Sequence, residues 1–257
     1  MKGGSSIDNF LCGHLSISLY YSHILQKYKE KKYPMAKNLL LLTAKFPDEN
    51  EVGRIKSRLH PLLQGKETLL YQAFLIDAID TAKKILNCDR AILGFPGSRK
   101  DAFKRKYGID VYPTDYFNIM ESLKYGFSQA FQKGYQRVIA YNTDSPDLPT
   151  SLISDAFIRL GQHDVVIGPT EDGGYYLIGM KKNYPYLFNK ETSTTSVLQQ
   201  ALSVCQKNKL VYSILPQWQD IDTPEDLKEL IERLRVSKSH TTSATRKILR
   251  QLNLLPS

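Results

Sequence analysis

The sequence predicts an α/β fold in which a mostly parallel sheet is covered by helices on both faces. Two observations carry this. Short apolar runs alternate along the chain with segments of helical periodicity, the order that right-handed βαβ units require. The runs themselves, such as Leu39-Leu40-Leu41-Leu42 and Val138-Ile139-Ala140-Tyr141, are continuously apolar, as strands buried on both faces are.

A chain of 257 residues suffices for one main core with appendages, and 42% hydrophobic and 24% charged residues are proportions of a globular protein. The net charge of +9 is spread over separate clusters at 27–32, 54–58, 99–106 and from 228 onward. No basic stripe with interleaved aromatics emerges. Small anionic molecules account for the charge at least as well as nucleic acid, and no nucleic-acid partner is expected. Cys12, Cys88 and Cys205 are isolated, so neither a zinc site nor a disulfide framework is indicated, and a cytoplasmic location is expected. The apolar stretch 10–25 is broken by Gly13, His14 and several serines and falls short of the ~20 apolar residues of a spanning helix. Its basic cluster follows rather than precedes it, unlike a signal peptide. Neither a membrane span nor secretion is expected.

In chain order, residues 1–34 differ in texture from the rest of the chain, and Met35-Ala36-Lys37 resembles a second start, so this leader is predicted to be dispensable. The main domain covers 35–237. It opens with a strand at 38–44 and a polar loop at 45–53. Leu70, Phe74, Ala78, Ala82 and Ile85 recur at helical spacing within 67–86. A strand at 90–95, a basic helix at 98–107 and a strand at 109–112 come next. The helix at 115–133 turns Met120, Leu123, Phe127 and Phe131 inward. After the strand at 138–141 come a helix at 150–160, strands at 164–168 and 175–180, a helix at 193–207 and a strand at 210–215. Thr223-Pro224-Glu225-Asp226 opens the last main helix, with Thr223 as cap and Asp226 as the acidic partner of a capping box. Residues 238–257 read as a loose tail in which 246–254 can form a docking helix.

Four stretches carry candidate chemistry. Asp144 and Asp147 leave the 138–141 strand in a loop ended by Pro146 and Pro149, at the rim where open α/β sheets bind ligands. Carboxylates there suit Mg²⁺ or Mn²⁺ holding substrate phosphates, and they equally suit a turn. Gly53-Arg54-Ile55-Lys56-Ser57-Arg58 sets three cations at alternate positions behind a glycine, able to meet a diphosphate or to stand as a solvated helix start. Glu171-Asp172-Gly173-Gly174 joins two strands, either close to a ligand or simply as a hairpin. Asp222 precedes the capped helix, as a ligand or as part of the cap.

Together with Ala44-Lys45-Phe46-Pro47, Gly168-Pro169-Thr170, and Asp220-Ile221-Asp222-Thr223-Pro224, these motifs resemble, in order, those of the DUF2064 family of glycosyltransferase-like proteins, some ascribed to arsenosugar biosynthesis. The resemblance implies a three-layer α/β/α fold of the nucleotide-diphospho-sugar transferase (GT-A) type, related to the nucleotidyltransferases of molybdenum-cofactor and F420 synthesis. It implies that Gly53, Arg54, Lys56 and Arg58 hold nucleotide phosphates, with Gly173 and Gly174 also on the nucleotide side. Asp144 and Asp222 would hold Mg²⁺ or Mn²⁺, and Asp144, Glu171 and Asp172 would serve catalysis facing sugar or acceptor. The sequence departs from the family pattern in its first loop, lengthened and acidified by Asp48-Glu49-Asn50-Glu51.

The reading is a metal-dependent transferase using a nucleotide-activated donor, first a glycosyltransferase acting from a nucleotide sugar to a small-molecule acceptor. The alternatives are a nucleotidyltransferase that uses a nucleoside triphosphate and releases pyrophosphate, and a non-catalytic nucleotide-binding module. Two converging carboxylates repel by ~4 kcal/mol at 4 Å and an effective dielectric of 20, so the metal-free site is expected to be strained. The sequence says nothing of oligomeric state. Removal of residues 1–34 is expected to leave folding and ligand binding intact; circular dichroism and a melting curve of the shortened chain check this, and an insoluble or molten product contradicts it.

Overall fold

In the computed structural model, residues 37–48, 55–189, 196–237 and 242–256 are described. The expected leader lies outside them, as do Gly53 and Arg54.

β1 (Asn38–Lys45) lies inside the sheet because Leu39 to Leu42 offer water no polar side chain on either face. β2 (Asp89–Phe95) and β4 (Arg137–Asn142) pair with it in parallel on its two sides, and β3 (Asp110–Pro113) extends the β2 edge. Beyond β4 lie β6 (Tyr175–Met180), β5 (Val165–Pro169) and β7 (Tyr212–Ile214), giving the order β3-β2-β1-β4-β6-β5-β7. Only β6 runs against the others. The sheet is thus mixed and mostly parallel, as predicted.

Strand alternation sorts the core into two layers. Leu40, Leu42, Ile92, Ile139 and Tyr141 pack against α1 (Glu67–Lys83) and α4 (Thr150–Arg159). Leu39, Leu41, Leu93, Val138 and Ala140 pack against α3 (Ile119–Gln132) and α5 (Val197–Lys207). Each buried leucine contributes ~1.5–3 kcal/mol relative to exposure. α2 (Lys100–Tyr107) buries Phe103 against Gly94 of β2, where a β-carbon would stand 2.9 Å from the ring.

Helix starts follow their caps. α3 begins at Ile119 rather than near 115 because the Asn118 side chain accepts the Met120 N–H, and α5 begins at Val197 because Ser196 accepts from Gln199. α6 (Pro224–Val236) carries the predicted capping box, with Thr223 and Asp226 each accepting the other's backbone N–H.

Residues 243–251 form α7 (Ser243–Gln251), and Leu249 and Leu255 are buried in a third cluster with Leu70 and Phe74 of α1 and Leu227, Leu230 and Leu234 of α6. The polar anchor is Asp77 of α1, a fully buried carboxylate that accepts the N–H groups of Ala244 and Thr245 at 3.0 and 2.7 Å. Its partners lie far away in sequence, which is why a Ser/Thr-rich segment reads as loose. Replacing Asp77 by Ala strips two N–H groups of their acceptor and is expected to cost ~1–3 kcal/mol in denaturant unfolding, with loss of protection at α7 amides in hydrogen exchange.

Candidate functional site

The chain leaves β1 toward β2 and enters the other half of the sheet through β4, so the order reverses between β1 and β4. Crevices outside the carboxyl ends of strands at such a point are where open α/β sheets bind ligands. A cavity of about 420 Å³ lies at these strand ends. The strand order fixes how its lining is distributed. Thr114 follows β3, Phe95 ends β2, Lys45 ends β1, and Thr143 and Asp144 follow β4. Aromatic groups therefore stand at the β2–β3 side and the carboxylate at the β4 side, with Lys45 between.

The strand ends are tied together. Thr143 Oγ1 donates to the Thr43 carbonyl at 3.1 Å, and the Lys45 N–H donates to the Tyr71 hydroxyl at 3.0 Å. Burial, then the Asp144 charge, push the Tyr71 hydroxyl up to about 12, so it stays protonated as a structural link.

On the β4 side, Asp144 and Asp222 converge although 78 positions separate them in sequence. A backbone bond from the Ile221 N–H to the Asp144 carbonyl (3.0 Å) joins the two loops, and the Asp226 carboxylate of the capping box accepts the Asp222 N–H at 3.0 Å. Between the two side chains stands Lys56, its Nζ 2.7 Å from Asp144 Oδ1 and 2.6 Å from Asp222 Oδ1. The Lys56 side chain is only 6% exposed, against 33% and 44% for the two aspartates. Burial alone would lower the Lys56 pKa, but the charges of Asp144 and Asp222 and their hydrogen bonds outweigh it and raise it well above the usual lysine range.

This arrangement corrects one expectation. The metal-free pair is not left to repel itself, because an ammonium already neutralises half its charge. The same geometry tests the donor set. Two hard oxygen donors face one cation, which fits Mg²⁺ or Mn²⁺ held by one or two carboxylates, with substrate phosphates and water completing the shell. Among the described residues no group of three or more His, Cys, Asp or Glu side chains forms a cage of its own.

Arg58 lines the cavity with its guanidinium exposed. On the opposite side Phe95 and Phe117 lie with ring centroids 5.0 Å apart, joined by Tyr116 and Ile119. Phe117 is 93% exposed. Thr114 and Ser122 pin this aromatic loop, with Ser122 Oγ donating to the Tyr116 carbonyl at 3.1 Å.

Among the described residues, Glu171, Asp172, Gly173 and Gly174 are not in the cavity lining. Glu171 and Asp172 are exposed at the tip of the β5–β6 hairpin. Asp172 Oδ1 accepts from Thr170 Oγ1 at 2.6 Å and from the Gly174 N–H at 3.0 Å, the work of a turn. Gly173 has φ +85°, a conformation that favours glycine, and a β-carbon on Gly174 would approach Thr170 Oγ1 to 2.9 Å. Asp147 is also turned away from the cavity. It accepts from Arg233 Nε at 2.8 Å and Trp218 Nε1 at 3.3 Å, bracing the loop to α6.

One acidic group escaped the sequence reading. Asp220 lies where burial, then the charges of Asp222, Asp172 and Asp144, push its pKa up to about 6. Its presence beside Asp222 in Asp-Ile-Asp was the available signal.

A family model for DUF2064, described as an uncharacterized protein conserved in bacteria, matches residues 78–212. The chain belongs to this family. Asp144 falls within the DUF2064 match, whereas Lys56, Arg58 and Asp222 lie outside it. Among solved structures, the chain is similar to a protein of Desulfovibrio desulfuricans G20 described as a candidate nucleotide-diphospho-sugar transferase, with 28% identity, a TM-score of 0.76, and coverage of 87% of this chain and 100% of that one. It also resembles 4-diphosphocytidyl-2C-methyl-D-erythritol synthase of Anaerococcus prevotii (14% identity, TM-score 0.53, 77% and 98% covered) and the inositol-1-phosphate CTP transferase of T. maritima (11%, 0.51, 83% and 97%). These last two share the fold. Curated proteins yield no match to the sequence. Among the described residues no helix is long and apolar enough to cross a membrane.

Because the Asp220 pKa lies above its ordinary 3.8, the ionised form costs folding stability. The cost is absent at pH values below 3.8 and grows as pH rises through about 6. Asp220→Asn is therefore expected to raise the melting temperature in chelator at pH 7.5 and to leave it unchanged near pH 3.5, and melting curves of both proteins at the two pH values check the sign.

Proposed function

We propose that this DUF2064 protein is a divalent-metal-dependent transferase that takes a nucleotide-activated donor, foremost a nucleotide sugar, and passes the sugar to a small-molecule acceptor. The observation that carries the reading is the ordered lining of one cavity: an aromatic shelf at the β2–β3 side, cations at the middle and a carboxylate pair at the β4 side. A nucleobase, a diphosphate and a metal-bound leaving group call for that sequence of chemistries. Similarity to the candidate nucleotide-diphospho-sugar transferase of D. desulfuricans supports the same donor class.

In this reading the base stacks on Phe117 beside Phe95 and Tyr116, whose flat apolar surface tolerates any base. Lys45 and Arg58 supply charged hydrogen bonds to the diphosphate. Asp144 and Asp222 hold Mg²⁺ or Mn²⁺, which when bound supplies positive charge for the departing diphosphate. Glu171 and Asp172 stay available at the hairpin tip for acceptor contact, with Gly173 and Gly174 shaping that turn. Gly53 and Arg54, outside the described residues, keep the role of phosphate contact that the motif resemblance implies.

A second reading is nucleotidyl transfer. Three cations at one cavity, Lys45, Lys56 and Arg58, match a triphosphate as well as a diphosphate, and the product would then be pyrophosphate.

Titration calorimetry with nucleoside triphosphates and nucleotide sugars in Mn²⁺ tests both. Phe117→Ala is expected to weaken nucleotide binding by ~1–3 kcal/mol, the range for one stacked base, and Arg58→Ala by ~1.5–3 kcal/mol. Neither should lower the melting temperature appreciably, because both side chains are exposed. Unchanged affinity in both variants would return the cavity to a role other than nucleotide binding. Identification of the small product, nucleoside diphosphate or pyrophosphate, separates the two transfers.

A further inference from the structure

Lys56 is the one member of the site whose position does not follow from donor binding. Its ammonium is bonded to two carboxylates of the cavity that it lines together with Lys45 and Arg58. It is reached from a backbone in the left-handed region (φ 52°, ψ 36°), uncommon for a lysine, at the entry to the short helix Ser57–Leu59. Both contacts are within hydrogen-bond length, and the lysine side chain is far more buried than either acid. The acids are thus open to what enters the cavity, with the ammonium set deeper among them.

Charge counting gives this a consequence. Two carboxylates and one ammonium leave the bonded trio a single negative charge. Two carboxylates and a divalent cation leave none, and an ammonium retained beside them would then be a surplus positive charge next to a metal ion. Resting on the metal reading of the preceding subsection, we propose that Lys56 is a tethered counter-ion that a divalent metal must displace from Asp144 and Asp222. Metal entry and release of the ammonium toward the donor phosphates are then a single exchange. Lys56 in this view is a positioning residue. It keeps the empty pair assembled, sets how tightly the metal is held, and becomes a phosphate donor only when the metal is in place.

The test is Mn²⁺ alone, without nucleotide, titrated into the full chain while free Mn²⁺ is followed by electron paramagnetic resonance. Three proteins are compared: wild type, Lys56→Gln and Lys56→Arg. Removing the competing charge is expected to tighten Mn²⁺ binding about tenfold or more in Lys56→Gln. Lys56→Arg, which keeps a cation, should bind no more tightly than wild type. In chelator Lys56→Gln should melt below wild type, since its carboxylates face each other uncompensated, and Mn²⁺ should recover most of that loss. A Lys56→Gln protein that is unfolded in chelator and folded by Mn²⁺ meets the expectation equally, whereas one that Mn²⁺ does not refold overturns it. If wild type binds Mn²⁺ and Lys56→Gln binds it no more tightly, the exchange is overturned while the metal reading stands. If neither protein binds Mn²⁺, both fall together.

Discussion

Leu39 to Leu42 are buried on both faces of the sheet, and the rest of the molecule depends on this constraint. A strand with no wet face has to be flanked by two strands and covered by helices above and below, which places β1 inside the sheet and draws β2 and β4 to its sides. The chain direction then delivers every loop that carries chemistry to one rim. Lys45, Phe95 and Asp144 share a cavity because they end, or directly follow, three adjacent parallel strands. Leu41 packs in one layer and Leu42 in the other, so a single register sets both helical layers and the rim above them.

Much of this was legible in the amino-acid sequence. Continuous apolar runs identified the strands by their short length and flanking turn residues, since periodicity alone does not separate such a run from a buried helix. The convergence of Asp144 and Asp222 was legible only through the motif resemblance, since the residues by themselves left one acid a turn and the other a cap. Other features left no such trace. The partner of Lys56 was not readable, because a loop cation carries no signal of the direction in which its side chain turns. Phe117 was invisible for a related reason: an exposed aromatic in a polar loop has no periodicity. The hairpin residues Asp172, Gly173 and Gly174 satisfied two readings at once, and only the bonds from Thr170 and Gly174 to the Asp172 carboxylate show what it does locally. For the C-terminal tail the sequence offered a docking helix at 246–254 but not its anchor, Asp77, which lies in a distant helix.

The two acids of the β4 loop illustrate how close neighbours acquire separate fates. Asp144 faces the cavity and shares an ammonium with Asp222, while Asp147 is spent on Trp218 and Arg233. Both nonetheless reach into the same late segment of the chain, since Ile221 bonds to the Asp144 backbone and Arg233 to the Asp147 side chain. The loop is clamped from two directions by residues 218–233, and that rigidity is what keeps the Asp144 carboxylate aimed at its partner.

This clamp has a bearing on biogenesis. The aromatic shelf, Lys45 and Asp144 are all synthesised within the first 144 residues, whereas Asp222 and the braces Trp218 and Arg233 emerge from the ribosome much later. A nascent chain that ends soon after β4 holds the aromatic side of the cavity but lacks half of its acidic pair and both side chains that steady the loop. The site is therefore incomplete until residues 218–233 have been made, and a chain cut off before them carries the aromatic side of the cavity without its acidic pair.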